Sequence, residues 1–412
     1  MPTEIRILRD DELPRMAQIA RDAYPGVPTP PDELVERLRR TSGGQDPAIS
    51  NYGAFRDGTM VGVMRTFDFR MSFHGTLLPV GGVGFVAVDL LHKKRHVARD
   101  LIGAFLRLYR ERGAPLAALY PFRPDFYRQM GFGFGARLTG YRLRPASFPP
   151  GPRDHLRPLA RADAPAILAC HNRIVARTHG LFLRGEALMG RLLDAPDRRG
   201  VVYVEGEVVR GYMLFQFQRG ATFIDNSLEI VELLAEHPAA LRELCAFIHT
   251  QADQLRSVVW HTHDDQLHHL VHDPRDGSEA LLSPVSHQVG TQGLGIMYRL
   301  LDTAGLFRAL AGHHFGPESL TLAIVVRDSF LPAHAGEVVV RFEAGVPALA
   351  PGARPDARIS LAVAELSSLL MGAADFRALA AYGLAEIDDP GYSGRVHRLF
   401  LSEARPVCFT AF

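Results

Sequence analysis

The sequence predicts an α+β protein made of several domains. The chain has 412 residues, whereas one compact domain typically has roughly 100–200. Segments with strand patterns alternate with segments whose apolar residues recur at helical spacing, and this order occurs twice before about residue 288. The pattern then changes. We therefore expect two similar units followed by a different α+β domain.

The first unit opens with a predicted strand over residues 4–9 and a helix over 10–23, whose apolar residues share one face. A second helix is predicted over 28–40. The strands 51–55 and 60–64 flank the sequence Arg-Asp-Gly-Thr, which is a strong signal for a β-hairpin. The unit therefore begins with helices and an antiparallel strand pair.

The second half of this unit has a different order. An apolar, glycine-rich strand over 77–88 runs into the basic tract 92–96, and a helix then continues to about Gly113. A further strand is predicted over 117–120. A proline-rich seam at 145–152 marks the end of the unit, so we place the first boundary near residue 150.

The middle of the chain repeats the same order of elements. We predict a helix near 162–176, strands around 201–204 and 209–217, a helix over 238–255 and a strand over 257–261. Between its last strand pair and the helix at 238 there is no basic turn with glycine. The second unit is therefore expected to bind no cofactor and to serve in packing.

After about residue 288 the sequence predicts a separate α+β domain. Its elements are a helix around 297–310, strands near 320–327, 337–342 and 357–362, and a helix over 363–371 that ends at a glycine. The predicted domains are residues 1–150, 151–287 and 288–412.

Composition excludes several classes of function. The 46 Lys and Arg residues nearly balance the 45 Asp and Glu residues, giving a net charge of +1, which argues against a nucleic-acid or membrane partner. Three distant cysteines form neither a disulfide framework nor a zinc motif. The charged first residues do not resemble a signal peptide, and no run of about 18 apolar residues occurs. We expect a cytoplasmic protein.

The basic tract at 92–96 is the segment with the clearest chemistry. It joins a strand to a helix N-terminus, where free amides, the helix dipole and cationic side chains together favour phosphate groups. A solvated charge run is the alternative interpretation. Gly81, Gly82 and Gly84 lack the G-x-G-x-x-G spacing and do not follow the strand, so a dinucleotide fold is not predicted.

At this turn the chain resembles the GNAT acetyltransferases, whose acetyl-CoA motif is a strand followed by Arg/Gln-x-x-Gly-x-Gly/Ala and a helix. The matching run is Lys-Lys-Arg-His-Val-Ala at 93–98. Its final Ala matches, His96 replaces a glycine, and Lys93 replaces Arg or Gln. The resemblance implies acetyl-CoA as co-substrate, bound by Phe85, Val86, Val88, Lys93, Lys94, Arg95, His96, Val97 and Ala98.

A second element supports this resemblance. Residues 126–133 match the Phe-Tyr-x-x-x-Gly-Phe-Gly sequence that follows the next strand in these enzymes. Tyr127 is then expected to be the catalytic phenol. The alternative is an aromatic side chain packed on a helix.

Over the full chain the order of domains resembles the Eis (enhanced intracellular survival) family: a GNAT domain, a degenerate GNAT-like domain and a domain like sterol carrier proteins. The runs at 112–119 and 353–361 and the last residue, Phe412, carry this likeness. It implies transfer of acetyl to a primary amine of an aminoglycoside, a polyamine or a lysine side chain. It also implies a homo-oligomer, often a hexamer.

The mechanism expected from this resemblance needs an acid and a base. Tyr127 would protonate the departing thiolate, and the carboxylate of Phe412 would accept the amine proton. The apolar run 407–412 could carry that terminus inside, whereas a disordered tail is the alternative. Tyr24, Phe85 and Asp22 are candidates for contact with the acceptor, although each could equally be structural.

The sequence also contains features of two other functions. Five histidines in the segment 261–272 could suggest zinc, but a complete ligand set is not evident, and no metal is predicted. A lipid or small-molecule carrier would need a cavity in the last domain, lined by apolar residues such as Leu366, Leu369, Leu370 and Met371, although ordinary core packing explains them as well. No G-x-S-x-G nucleophile elbow supports a hydrolase.

Overall fold

The computed structural model describes residues 3–26, 29–41, 46–222 and 224–412. These residues form two compact units. The first unit contains the chain through Gly135, Ile296–Pro406 and Thr410–Phe412, and the second contains Ala136–Gly295 and Val407–Phe409. This grouping into two units does not test the predicted division of the sequence into three domains, which stays a prediction.

The first part of unit 1 contains six strands and four α-helices in the described ranges. The strands are β1 (Glu4–Ile7), β2 (Ile49–Arg56), β3 (Thr59–Phe73), β4 (Thr76–Val88), β5 (Leu116–Leu119) and β6 (Gly133–Phe134). The helices are α1 (Leu13–Ala23), α2 (Pro31–Arg40), α3 (Val97–Glu111) and α4 (Pro124–Arg128).

Unit 2 contains the next nine strands and three α-helices of the described chain. The strands are β7 (Arg137–Leu143), β8 (Leu156–Pro158), β9 (Arg199–Glu205), β10 (Val208–Gln218), β11 (Ser227–Ala235), β12 (Ser257–Thr262), β13 (Leu281–Ser283), β14 (Ser286–His287) and β15 (Thr291–Leu294). The helices are α5 (Ala164–Val175), α6 (Glu186–Leu193) and α7 (Pro238–His249).

The chain then returns to unit 1 with six more strands and four more α-helices among the residues described. The strands are β16 (Met297–Leu300), β17 (Leu320–Arg327), β18 (Gly336–Glu343), β19 (Val346–Leu349), β20 (Ala357–Ala362) and β21 (Ala385–Ile387). The helices are α8 (Thr303–Ala309), α9 (Val363–Leu370), α10 (Phe376–Ala381) and α11 (Ser393–Phe400).

Three large sheets organise these elements. Over the described residues, unit 1 has a sheet in the order β1-β2-β3-β4-β5-β16-β6 and a second one in the order β19-β18-β17-β20-β21. Unit 2 has a sheet in the order β15-β7-β12-β11-β10-β9-β8. Each sheet combines antiparallel neighbours with one parallel pair: β4 with β5, β17 with β20, and β11 with β12. The predicted α+β class is confirmed.

The first sheet follows the sequence pattern closely. The predicted hairpin joins β2 and β3 as antiparallel neighbours. Its turn residues Asp57 and Gly58 have φ angles of 50° and 73°, as a tight two-residue hairpin turn requires. Helix α3 packs its apolar face on this sheet, with Leu101, Ile102 and Phe105 fully buried. This packing fixes the position of the helix N-terminus beside β4.

One predicted element is wrong. Residues 297–310 do not form a single helix, because Met297–Leu300 is a strand and α8 begins at Thr303. The strand pairs antiparallel with both β5 and β6. The side chain of Asp302 accepts a hydrogen bond from the amide of Gly305 and so caps α8. The helix therefore starts at a capping residue inside the predicted element.

Candidate active site

Strands β4 and β5 part from each other in the middle of the first sheet. Their parallel pairing extends only over Val80–Leu116, Gly81–Ala117 and Gly82–Ala118. Strand β4 continues to Val88 with β3 on one side, and no described strand pairs with its other edge. Such an edge presents free amide and carbonyl groups to an extended ligand.

A bulge shapes this free edge. The register between β3 and β4 shifts between Val63 and Arg65, and Phe85 has a φ of 54°. A bulge with a residue in the left-handed region increases the local bend of the strand. The hydroxyl of Tyr24 donates a hydrogen bond of 2.5 Å to the carbonyl of Val86. A carbonyl oxygen has a second lone pair, so this bond leaves it able to accept another donor.

The cationic turn follows β4 and leads into α3. Lys94 and His96 have φ angles of 60° and 63°, and His96 is the N-cap of α3. The histidine therefore adopts the left-handed conformation that the glycine of the motif would supply. Lys93 and Lys94 are the only two lysines in the chain, and both border the cavity at this turn.

Asp89 holds the start of the turn in place. Its carboxylate accepts hydrogen bonds from the amide of Leu91 at 2.9 Å and from Arg15 at 2.6 Å, and it contacts a ring nitrogen of His92 at 3.0 Å. The bond to His92, followed by the backbone and arginine contacts, lowers the pKa of this carboxyl group. The turn is therefore fixed at the end from which it leaves β4.

A cavity of about 530 Å³ lies between the free edge of β4 and the turn, within the usual size of small-molecule sites. Seven of the nine residues predicted to bind the cofactor border it: Val86, Val88, Lys93, Lys94, His96, Val97 and Ala98. The predicted acceptor residue Tyr24 also borders it. The structure thus brings the two predicted motifs together.

Five predicted residues do not border the cavity: Arg95, Phe85 and Asp22, and the two expected catalytic residues, Tyr127 and Phe412. The carbonyl of Arg95 accepts a hydrogen bond from Arg56 at 3.0 Å, and the Arg95 side chain is exposed. Phe85 packs partly buried against the core beside α1. Asp22 is exposed on α1, where its carboxylate accepts a hydrogen bond from Gln18 at 2.9 Å. A contact of Asp22 with an acceptor finds no support in this geometry.

Tyr127 lies in the core of unit 1, and its neighbour in the chain, Phe126, borders the cavity. It is 7% exposed, with its ring 5.3 Å from that of Phe126 and 6.0 Å from that of Phe132. Burial, with a further contribution from the nearby Tyr24, raises the pKa of its phenol above 10. Gly131 ends the segment after α4 with a φ of 82°. The phenol therefore stays protonated at neutral pH.

Phe412 lies on the first sheet. Its ring centroid is 5.5 Å from that of Phe67, 4.9 Å from that of Phe69 and 5.4 Å from that of Tyr120. A Cβ atom at Gly84 would come within 2.9 Å of its carboxyl carbon. Only a residue without a side chain leaves room for that group next to β4.

Several residues at the cavity were missed by sequence reasoning. They include Phe122, Phe126, Gln129 and Met130 from the segment around α4, together with Ala23, His92 and Arg99. The Phe-Tyr motif gave a signal for this segment, but helical spacing alone does not show which of its side chains face a cavity. Phe122 is 74% exposed, which is unusual for a large aromatic residue.

The structure describes the residues that suggested a zinc site or a carrier cavity. In the described part of the chain, no three His, Cys, Asp or Glu residues are grouped to hold a metal ion. The ring nitrogens of His263 lie 3.0 Å from the carbonyl of Arg137 and 3.1 Å from that of Cys408. The four apolar residues considered for a carrier cavity, Leu366, Leu369, Leu370 and Met371, are all buried in the core.

Among the described residues, no helix is both long and apolar enough to cross a bilayer.

Family models match three segments of the chain. Residues 4–135 match one acetyltransferase (GNAT) domain, residues 176–299 match a second acetyltransferase (GNAT) domain, and residues 306–409 match a sterol carrier protein domain. The first match contains the free edge of β4, the cationic turn and Tyr127.

Similar proteins carry related names. An uncharacterized N-acetyltransferase of Streptomyces griseus is 24% identical over the full length of both chains. One from Streptomyces avermitilis is 26% identical, covering 86% of this chain and 87% of its own. The N-acetyltransferase Eis of Mycobacterium tuberculosis is 26% identical, covering 65% of this chain and 68% of its own.

Solved structures share the fold over the full length of both chains. A GCN5-related N-acetyltransferase from Anabaena variabilis superposes with a TM-score of 0.84 at 17% identity. Eis1 from Mycobacterium abscessus superposes with a TM-score of 0.79 at 22% identity. The order of the three domain matches and the named relatives make this chain a member of the Eis-like GNAT N-acetyltransferases, with two GNAT domains followed by a sterol carrier protein domain.

Proposed function

We propose that the cavity beside β4 binds acetyl-CoA and that the enzyme transfers the acetyl group to a primary amine. The observation that carries this proposal is the parting of β4 and β5 next to a cationic helix N-terminus. GNAT domains use acetyl-CoA as co-substrate, which supplies the acetyl thioester. The proposal concerns which residues of this chain bind it and act on the reaction.

Cofactor binding divides between two parts of the cavity. The backbone of Val86 and Val88 pairs with the amides of the pantetheine arm, because an extended chain adds to a free strand edge. The amides at the start of α3 and the side chains of Lys93 and Lys94 bind the pyrophosphate. The Tyr24 hydroxyl either keeps its hydrogen bond to the Val86 carbonyl while the pantetheine arm donates a second one, or it loses this bond when the arm binds.

The proposed acid is Tyr127. Its buried, protonated phenol can donate a hydrogen bond and then a proton to the departing thiolate. The proposed base is the carboxylate of Phe412, whose ordinary pKa range of about 3.3–3.7 for an α-carboxyl group keeps it ionised at neutral pH. Its contacts with Gly84 and three aromatic rings support this role.

The acceptor proposed is a primary amine of an aminoglycoside, a small polyamine or a lysine side chain. An amine must lose a proton to form the amide, which is why a carboxylate base is needed. A panel of these amines in a thiol-release assay identifies the class. A panel in which every amine fails contradicts this part of the proposal. Assembly into a homo-oligomer such as a hexamer, and a cytoplasmic location, remain predictions.

Calorimetric titration with acetyl-CoA tests the cofactor site. We expect Lys93→Glu to weaken binding by about tenfold or more, since it replaces a favourable charge with a repulsive one, and we expect added salt to weaken wild-type binding. The control is Arg354→Glu, the same change of charge at an exposed arginine between β19 and β20. No binding of acetyl-CoA at millimolar concentration would contradict the proposal.

The proposed base has its own test. Deletion of Phe412 is expected to lower kcat by about 10²–10⁴-fold, the usual contribution of a positioned base. Phe412→Tyr preserves both the carboxylate and the ring, so it should retain a rate close to that of the wild type. A folded deletion variant with the wild-type rate would show that the base is another group.

A further inference from the structure

Unit 1 contains a second cavity, away from β4. It has a volume of about 390 Å³ and lies between the outer face of α3 and the segment after β17. Helix α3 contributes Arg99, Gly103 and Arg107, which lie four residues apart and so share one face. Phe330 and Leu331 form the opposite wall. We call this cavity the α3 groove.

The charges around the α3 groove are not balanced. Arg99 and Arg107 border it and Arg110 follows on α3, and within the described ranges none of the three has a carboxylate at ion-pair distance. The acid that borders the groove is Asp100, which already accepts hydrogen bonds from Thr3 at 2.7 Å and from Arg56 at 3.0 Å. The groove therefore has an excess of positive charge.

His334 lies among these charges. Its Nδ1 atom is buried without a hydrogen-bond partner among the described residues. Burial, followed by the charges of Arg110 and Arg299, lowers the pKa of its ring; Asp328 acts in the opposite direction, and Arg107 lowers the pKa further. Like charges held together in this way are unfavourable unless an anion offsets them.

The apolar wall of the groove is already formed. The carboxylate of Asp328 accepts hydrogen bonds from the amides of Phe330 and Leu331 at 3.1 and 2.9 Å. The same carboxylate is buried in an ion pair with Arg299 at 2.5 Å. The guanidinium of Arg99 lies 5.0 Å from the centre of the Phe330 ring. A ligand would therefore meet an ordered surface, which reduces the entropy lost on binding.

We propose that the α3 groove is a phosphate-binding site, in which Arg99 and Arg107 bind a phosphate group and Phe330 and Leu331 contact an apolar part of the same ligand. Arginine forms paired hydrogen bonds with the oxygens of a phosphate group. The ligand is a phosphate monoester, either the 3′-phosphate end of coenzyme A or a separate phosphorylated metabolite. Arg99 borders both cavities, so both sources are compatible with the geometry.

The experiment compares the variant Arg107→Gln with the wild type. The Arg107 side chain is exposed on α3, so the change does not disturb the core. Calorimetry measures the affinity for coenzyme A, for dephospho-coenzyme A, which lacks the 3′-phosphate, and for inorganic phosphate added to protein saturated with dephospho-coenzyme A. The control is Arg112→Gln at the end of the same helix, where the side chain pairs with Asp68 at 3.1 Å.

Two results support the proposal and identify the source. If Arg107→Gln loses about tenfold or more in affinity for coenzyme A but not for dephospho-coenzyme A, the ligand is the 3′-phosphate of the co-substrate. If it loses affinity for inorganic phosphate while both coenzymes bind as to the wild type, the ligand is a separate phosphate compound.

One result overturns it. The α3 groove is not a phosphate site if all three affinities of Arg107→Gln equal those of the wild type and of Arg112→Gln. This outcome is distinguishable from failure of the proposed function, in which dephospho-coenzyme A would not bind to the wild type at all. Titration of inorganic phosphate into the wild type and into Arg107→Gln, both without coenzyme, then still tests the groove.

Discussion

Two tyrosines near the cavity differ in what their hydroxyl groups do. The Tyr24 hydroxyl donates to the Val86 carbonyl, whereas the Tyr127 phenol has no such bond among the described residues and a pKa raised by burial. We expect Tyr127→Phe to lower kcat by about 10²–10⁴-fold with little change in acetyl-CoA affinity. Tyr24→Phe, which also removes one oxygen, should mainly change that affinity. Steady-state kinetics of both variants measures the difference.

The pH dependence follows from the direction of the Tyr127 shift. A general acid must be protonated to act, and a pKa above 10 keeps this phenol protonated throughout the range from pH 6 to 9. Loss of the Tyr127 proton should therefore not lower kcat within that range. A fall in kcat near pH 8 that disappears in Tyr127→Phe would show that the phenol ionises too early for this role.

At position 96 the backbone conformation limits the choice of residue more than the chemistry of the side chain does. Its φ of 63° costs a residue with a Cβ atom roughly 1–2 kcal/mol, and a β-branched residue more. We expect His96→Gly to bind acetyl-CoA at least as tightly as the wild type and His96→Val to bind about tenfold more weakly. Calorimetry measures both affinities.

The control for His96 is Asp57→Gly in the hairpin between β2 and β3. Asp57 also has a positive φ, 50°, but it does not border the cavity. This variant should leave the affinity for acetyl-CoA unchanged. Weaker binding by His96→Gly than by the wild type would mean that the imidazole itself binds the co-substrate.

Among the helices and strands, the sequence predicted those whose formation depends on residues that are neighbours along the chain. The hairpin of β2 and β3, the glycine-rich strand β4 and the amphipathic helix α3 all follow local patterns. Strand β16 could not be recognised because its four residues, Arg299 among them, are all buried, so the segment shows no alternation of polar and apolar residues. Its partners β5 and β6 lie more than 160 residues earlier in the chain.

The same holds for the site: the sequence predicted the residues that are neighbours along the chain, but not those that tertiary packing brings together. Residues of the turn at 93–98 adjoin one another in sequence, so their motif could be read directly. The side chains from α4 that border the cavity are brought there by tertiary packing. The opening between β4 and β5 depends on where their pairing stops, which no residue of either strand indicates alone.

At the scale of the whole molecule, a buried ion pair links distant segments of unit 1. Arg299 in β16 and Asp328 after β17 are both fully buried, with nitrogen and oxygen 2.5 Å apart. Asp328→Ala would leave the charge of Arg299 uncompensated, which typically costs about 3–5 kcal/mol. We expect a loss of this size in the free energy of unfolding measured with urea.

A neighbouring exposed pair provides the control. Arg327 and Glu386 lie 3.4 Å apart, with side chains 49% and 70% exposed. Glu386→Ala should change the free energy of unfolding by about 1 kcal/mol or less. Equal effects of Glu386→Ala and Asp328→Ala would mean that burial of the ion pair does not decide its contribution.

The central claim is that acetyl-CoA binds in the cavity between β4 and the turn before α3. The only two lysines of the chain, Lys93 and Lys94, border this cavity, so an amine-acylating reagent reports on the site with the N-terminal amine as internal reference. Mass spectrometry of the labelled protein with and without coenzyme A measures the protection. We predict that coenzyme A slows labelling of both lysines and leaves the N-terminus unchanged; equal labelling of the lysines with and without saturating coenzyme A would contradict the claim.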